Sequence, residues 1–200
     1  MNTIGLFLSA VIGYLFGSFS TGLLMAGLAK VDIRKLGSKS TGATNVTRVM
    51  GFKNGLITFL GDILKAALAI VIAWQIAGTN GGLIAGLFAV IGHNWPIYYS
   101  FQGGKGVACS VAVLVLNAPL EGAVACVVAV IVIAVTRYVS LGSLSLLLTA
   151  AVLLPFTRAF WPWGVWALAL LILAAWRHKA NIQRLLNGTE NKFTGRKQVS

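Results

Sequence analysis

Acidic side chains are almost missing from this chain: 200 residues carry only Asp32, Asp62, Glu121 and Glu190. That scarcity excludes a two-metal carboxylate site, which needs several clustered acids. Cysteine is as rare. Cys109 and Cys126 both lie in apolar runs with no His or Asp beside them at ligand spacing, so neither a disulfide framework nor a zinc site is implied. Neither histidine, His93 or His178, is followed five positions later by Asp, and no Ser-His-acid or Cys-His set is evident. Lys and Arg are absent from the first 29 residues, which fits a mature apolar helix better than a cleaved signal peptide with its positive start.

Hydrophobic residues, by contrast, make up 58% of the chain and charged residues only 10%. A soluble domain of this size cannot be covered with such a composition, so the chain reads as an integral membrane protein. Its net charge of +12 then reports topology and attraction to anionic lipid headgroups, and nucleic acid is not expected as a partner.

Uncharged or nearly uncharged segments run over Ile4–Leu28, Leu56–Ile76, Gly81–Tyr99, Val107–Leu116, Leu120–Val135, Val139–Phe156 and Trp161–Trp176. Most approach the roughly 20 residues needed to cross a bilayer, and the fourth is short. If all seven cross, the basic residues from Lys30 to Lys53, with Lys105, Arg137 and the tail residues Arg177, Lys179, Arg184, Lys192, Arg196 and Lys197, share one side. Only Glu121 and Arg158 fall opposite. If the fourth did not cross, the basic tail would face away from the basic first loop, against the positive-inside tendency. The expectation is an all-α integral membrane protein with seven transmembrane helices, a short fourth helix, the N-terminus outside and the C-terminus cytoplasmic. Residues 1–200 are expected to form one domain, with a cytoplasmic tail from 177.

Tryptophans 74, 161 and 163 fall near the expected outer ends and Trp95 and Trp176 near the inner ends, as interfacial anchoring predicts. Gly13 with Gly17, and Gly82 with Gly86, have the spacing of close helix packing. Asp62 and Lys65, three apart, are expected to pair within one helix. Asn181 to Gly188 reads as a short interfacial helix stopped by the glycine.

The expected cytoplasmic segments hold nearly all the unusual chemistry, while the turns Gly78–Gly82, Asn117–Pro119 and Thr157–Phe160 are chemically quiet. Gly37-Ser-Lys-Ser-Thr-Gly-Ala-Thr-Asn-Val-Thr-Arg48 crowds glycine, hydroxyl and amide groups beside basic residues, as a phosphate ligand requires. Gly103-Gly-Lys105-Gly106 places backbone N–H groups and an ammonium just before a helix, where an anion is favoured. It is not a Walker A loop, because Gly106 stands where Ser or Thr would bind magnesium and Tyr99 where the first glycine belongs. Arg48 by itself reads as a positive-inside residue, His93 as a loop cap or a chemical group, and His178 as a cation at a helix end. With no general base in evidence, the chemistry is that of an already activated phosphate ester or anhydride held beside a second anion.

Taken together, Gly37-Ser38, Gly42-Ala-Thr-Asn45 and Arg48, Gly92-His93 with Pro96, Phe101 with Gly103 to Ala108, and Arg177-His178 with Asn181-Ile-x-Arg-Leu-Leu resemble the bacterial acyl-phosphate:glycerol-3-phosphate acyltransferase family. The resemblance covers essentially the whole chain, in order. It implies transfer of a fatty acyl group from acyl phosphate to glycerol 3-phosphate, giving 1-acylglycerol 3-phosphate and phosphate, the first acylation of phospholipid synthesis. It also implies a multi-pass protein of the bacterial cell (inner) membrane with its site facing the cytoplasm. No cofactor, metal, acyl-CoA or acyl carrier protein is required directly; membrane lipids and the enzyme that makes acyl phosphate are the implied partners.

By the same resemblance Ser38, Arg48, Lys105, His178 and Asn181 are the catalytic set, and Gly42, Ala43, Thr44, Asn45, His93, Gly103, Gly104 and Ser143 bind substrate. The Ser38–Asn45 loop would hold the acyl-phosphate phosphate, and Arg48, Lys105, Ser143, His178 and Asn181 would hold glycerol 3-phosphate or complete the phosphate site. Family members commonly show Gly-Asn at Lys39-Ser40, a basic residue at Gln102, Thr at Cys109 and Glu at Ala180. Lost glycine freedom at position 39 constrains the loop. The residues alone leave two alternatives: a glycerol-phosphate or other anion transporter or phospholipid-binding protein without catalysis, and an acyltransferase for another phosphorylated alcohol.

Overall fold

The computed structural model describes residues 3–158 and 160–193, all helices, turns and loops with no strand among them. Arg196, Lys197 and position 159 of the Thr157–Phe160 turn lie outside the described residues. Contacts divide the chain into two units, one up to Ala112 and one from Val113 onward.

Along the first helix large residues face outward and small ones inward, the reverse of a soluble helix. In α1 (Thr3–Ser18), Ile4, Phe7, Leu8, Val11 and Leu15 are exposed while Gly5, Ser9, Gly13 and Gly17 are buried. Lipid gives helices no hydrophobic reason to associate, so close contact between small residues has to supply it. Among the described residues, five helical stretches are long and apolar enough to cross a membrane, and a sixth, α5, is apolar but shorter.

In the first unit the expected Ile4–Leu28 helix is broken. α1 ends at Ser18, and α2 (Thr21–Leu28) starts afresh with Ser20 as N-cap, its hydroxyl accepting from Leu23 N–H. α3 (Ala43–Met50) follows the first loop, and α4 (Phe52–Asn94) comes next. The latter spans both expected helices, Leu56–Ile76 and Gly81–Tyr99, but its path is interrupted at Ala77 and Gly78, where Gly78 has φ +58°. A Cβ on Gly81 would sit 2.4 Å from the Ala73 carbonyl oxygen. In a straight helix those residues stand about 12 Å apart, so the chain doubles back at Gly78.

The second arm of α4 packs along α1. A Cβ on Gly13 or Gly17 would fall 2.3 Å or 2.2 Å from the carbonyl oxygens of Ala85 or Ala89, so the expected Gly13/Gly17 packing is present and α1 runs parallel to the second arm. Gly82 and Gly86 are also buried.

The second unit contains α6 (Pro119–Thr136), α7 (Val139–Thr157), α8 (Val165–Arg177) and α9 (Lys179–Leu186); α5 (Val107–Asn117) spans the boundary. α6 and α7 form an antiparallel pair closed through Arg137 at φ +62°. At its other end Arg158 donates to Glu121 through Nε at 2.9 Å and Nη2 at 3.3 Å, so these two charges are partners. The tail helix α9 is present as expected, and Gly188, at φ +69°, follows its end.

Candidate active site

The Gly37–Asn45 loop is built around one amide. Asn45, 1% exposed, accepts from Ser38 N–H at 2.8 Å through Oδ1. Its Nδ2 donates to the carbonyls of Ile33, Leu36 and Ser40 at 3.3, 3.0 and 2.8 Å. The residue expected to touch substrate therefore has its side chain turned inward and gives the loop its shape. Gly37 adopts φ +57°, and a Cβ there would meet Asn45 Oδ1 at 2.3 Å, so the position demands glycine. The loop leads into α3, whose N-cap Gly42 offers no side-chain cap, leaving the Ala43 and Thr44 amides at an open helix end. Beside them the Thr41 hydroxyl is buried with no hydrogen-bond partner among the described residues. Arg48 sits half-buried in the last turn of α3.

Lys39 has φ +58°, the left-handed region where a side chain costs roughly 1 kcal/mol. The lysine thus holds, at an energetic cost, a conformation that a glycine would adopt freely. Lys39→Gly is expected to raise stability by about 1 kcal/mol, read by thermal unfolding in detergent; a loss of stability would contradict the assignment.

The second glycine turn rests on His93. Gly104 N–H donates to the His93 carbonyl at 3.0 Å. A Cβ on Gly103 would lie 2.1 Å from that carbonyl oxygen, and one on Gly104 2.1 Å from His93 Nε2. Only glycines let the backbone lie this close, and the turn carries Lys105 half-buried between Gly104 and Gly106, the latter at φ +79°. Ser38 is thus joined to Asn45 in one turn, and His93 to Gly103 and Gly104 in the other.

In the second unit the three assigned residues are all buried. Ser143, on α7, donates its hydroxyl to Val139 O at 2.8 Å. His178, between α8 and α9, is 2% exposed and its Nδ1 lies 2.8 Å from Ala174 O. A carbonyl only accepts, so Nδ1 carries a hydrogen, and in the neutral ring Nε2 is the acceptor nitrogen. Asn181 donates to Glu190 Oε1 at 2.7 Å.

Glu190 is the residue the sequence did not reveal. It also accepts from Ser140 at 2.9 Å and Arg184 at 2.7 Å. Burial alone would raise its carboxyl, but hydrogen bonds from Asn181, Arg184 and Ser140 and the Arg184 charge outweigh that and hold it below the ordinary 4.5. The network's contribution is therefore complete above 4.5 and lost as pH falls through the depressed value. Amide protection in α9, measured relative to the intrinsic exchange rate at each pH, should be high near neutral pH and fall in acid, and Glu190→Gln should show the low protection at neutral pH, a loss of about 1–3 kcal/mol. Unchanged protection would contradict the network. The only early signal was that an acid is rare enough in this chain to need a reason.

Among the described residues no group of three His, Cys, Asp or Glu is placed to hold a metal.

The glycerol-3-phosphate acyltransferase family matches residues 7–188. A glycerol-3-phosphate acyltransferase of Halalkalibacterium halodurans is 45% identical over 199 residues, covering 95% of this chain and 97% of its own. One from Thermoanaerobacter pseudethanolicus is 40% identical, covering 96% and 98%. Among solved structures, PlsY (YgiH), an integral membrane glycerol 3-phosphate acyltransferase, superposes in its glycerol 3-phosphate form with a TM-score of 0.89 at 34% identity, over 94% of this chain and 95% of that one. Its lysophosphatidic acid form gives 0.86 at 33% identity, over 95% and 96%. With glycine turns, buried polar network and apolar outer surface all accounted for, this chain belongs to the glycerol-3-phosphate acyltransferase family, as an integral membrane protein.

Proposed function

We propose that the acyl donor is acyl phosphate and that transfer to glycerol 3-phosphate proceeds without metal or coenzyme A, giving 1-acyl-sn-glycerol 3-phosphate and phosphate. The observation that carries this reading is the first loop: an uncapped helix end, a partnerless buried Thr41 hydroxyl and a shape held by Asn45. Such a cradle suits a phosphate, which a thioester donor would not bring to the reacting carbonyl.

In this reading Ser38, Gly42, Ala43 and Thr44 hold the donor phosphate, with Asn45 shaping their loop. Arg48 and Lys105, the latter carried by the Gly103-Gly104 turn, hold glycerol 3-phosphate, together with Ser143, His178 and Asn181. The glycerol oxygen attacks the acyl carbon, the bond from that carbon to the phosphate oxygen breaks, and a non-bridging oxygen of the departing phosphate takes the hydroxyl proton. His178 Nε2 orients the hydroxyl. Proximity and charge neutralisation carry the barrier reduction.

A second reading makes His178 the proton acceptor; the Nδ1 bond to Ala174 O, which leaves Nε2 as acceptor, favours it. We further propose seven crossings, with the two arms of α4 and the short α5 each counted as one, in the bacterial cell membrane, the N-terminus outside and the site facing the cytoplasm. The doubling back at Gly78 and the basic bias of the loops support that count. The two units act as one catalytic domain in this proposal.

Purified protein in chelator, given glycerol 3-phosphate with either palmitoyl phosphate or palmitoyl-coenzyme A, tests the donor. Lysophosphatidate is expected from the phosphate alone; product only from the thioester would overturn the reading.

A further inference from the structure

Beneath the Gly103–Gly106 turn, three ionisable side chains meet in the interior of the first unit: Asp62 at 1%, Lys65 at 5% and His93 at 4% exposure. Lys65 Nζ lies 3.0 Å from Asp62 Oδ1, the intrahelical pair expected from the spacing. The same nitrogen is 2.9 Å from His93 Nδ1 and donates to the Phe19 carbonyl at the α1–α2 break. An ammonium has three hydrogens and no acceptor: it is hydrogen-bonded to His93 and Phe19, while Asp62 is held by charge, neither of its carboxylate oxygens having a hydrogen-bond partner among the described residues. His93 Nδ1 is 3.7 Å from Asp62 Oδ1, too far for a hydrogen bond, so it does not donate there. Nδ1 is thus an acceptor, and the neutral ring carries its hydrogen on Nε2, the nitrogen facing Gly104. Cys109 adds a contact to the cluster through Sγ, 3.5 Å from the Asp62 carbonyl oxygen.

We infer that the Asp62–Lys65 pair fixes His93 as a neutral Nε2–H imidazole, so that His93 supports the Gly103–Lys105 turn as a hydrogen-bond donor and does not accept the hydroxyl proton. Asp62 and Lys65 are then positioning residues, acting on the anion through the ring and the turn above it. This rests on the turn's proposed role as an anion site. His93 and His178 have opposite tautomers, one presenting a hydrogen on Nε2 and the other a lone pair.

The chain has only two histidines, so the ring nitrogens of 15N-histidine-labelled wild-type protein can be assigned with one His93→Gln spectrum. Two-bond proton–nitrogen correlations are expected to show His93 with an unprotonated Nδ1 and protonated Nε2 throughout the active pH range, and His178 with the reverse. A protonated Nδ1 on His93, as either tautomer or imidazolium, would overturn the inference. In the double variant Asp62→Leu/Lys65→Met, which leaves no buried charge alone, KM for glycerol 3-phosphate should rise about tenfold or more, the worth of one charge-assisted hydrogen bond. kcat should change less. An unchanged KM would remove the positioning role, and should the double variant fail to fold, the wild-type spectrum decides. Wild-type protein that forms no lysophosphatidate would sink the proposed reaction instead, leaving the tautomer result standing.

Discussion

Lys105→Ala is expected to lower kcat/KM for acyl transfer by about 10²–10³-fold, the usual effect of removing one pre-positioned group that stabilises developing negative charge. Lys105 rides on a glycine turn and is only half-buried, so its loss removes a cation without opening a core. The protein should therefore keep its thermal stability while losing turnover. Arg48→Ala should behave similarly, since a guanidinium can grip a phosphate through two parallel hydrogen bonds. Steady-state kinetics with acyl phosphate and glycerol 3-phosphate read both. Near-normal rates in the two variants together would refute the anion site.

Gly104→Ala is expected to be nearly as damaging for a different reason. The new Cβ would stand 2.1 Å from His93 Nε2 and 3.0 Å from both neighbouring ring carbons. His93 cannot retreat, because its ring is buried and held by Lys65. The turn must therefore move, costing about 1–3 kcal/mol of stability as overpacking does, and Lys105 moves with it. A displacement of about 1 Å at a positioned group is enough for a hundredfold loss in rate. The effect is steric at this position, whereas at Gly106, with φ +79°, a side chain would also strain the backbone. Activity and detergent-phase unfolding temperature should fall together in Gly104→Ala; unchanged values would show that the turn does not lean on the ring.

The helical segments and the two glycine turns were legible because they depend on local patterns: long apolar runs, small-residue spacing, and glycine beside hydroxyl and basic groups. The Gly13/Gly17 packing followed from spacing alone. Other features depend on partners far along the chain. His93 meets Lys65 across 28 positions, and Lys65 meets Phe19 across 46. Asp62 and Lys65 could be read as a pair but not as the support of a histidine. Glu190 finds Asn181 and Arg184 only once α9 folds them back toward it, which no local pattern announces. Asn45 carried the right chemistry for a phosphate ligand, yet its amide is the group that satisfies three loop carbonyls, a need visible only once the loop is closed. The break between α1 and α2 was hidden by an unbroken uncharged run, although Ser20 is a good N-cap residue.

The pH dependence of kcat with palmitoyl phosphate, compared for wild type and His178→Gln, tests most directly whether gripped anions rather than a protein base accomplish the transfer. The account predicts that the acidic limb of the profile survives in the variant at a lower rate, because the titrating acceptor is the donor's own phosphate. A profile that turns flat on the acidic side when His178 is replaced would contradict it and make that imidazole the base.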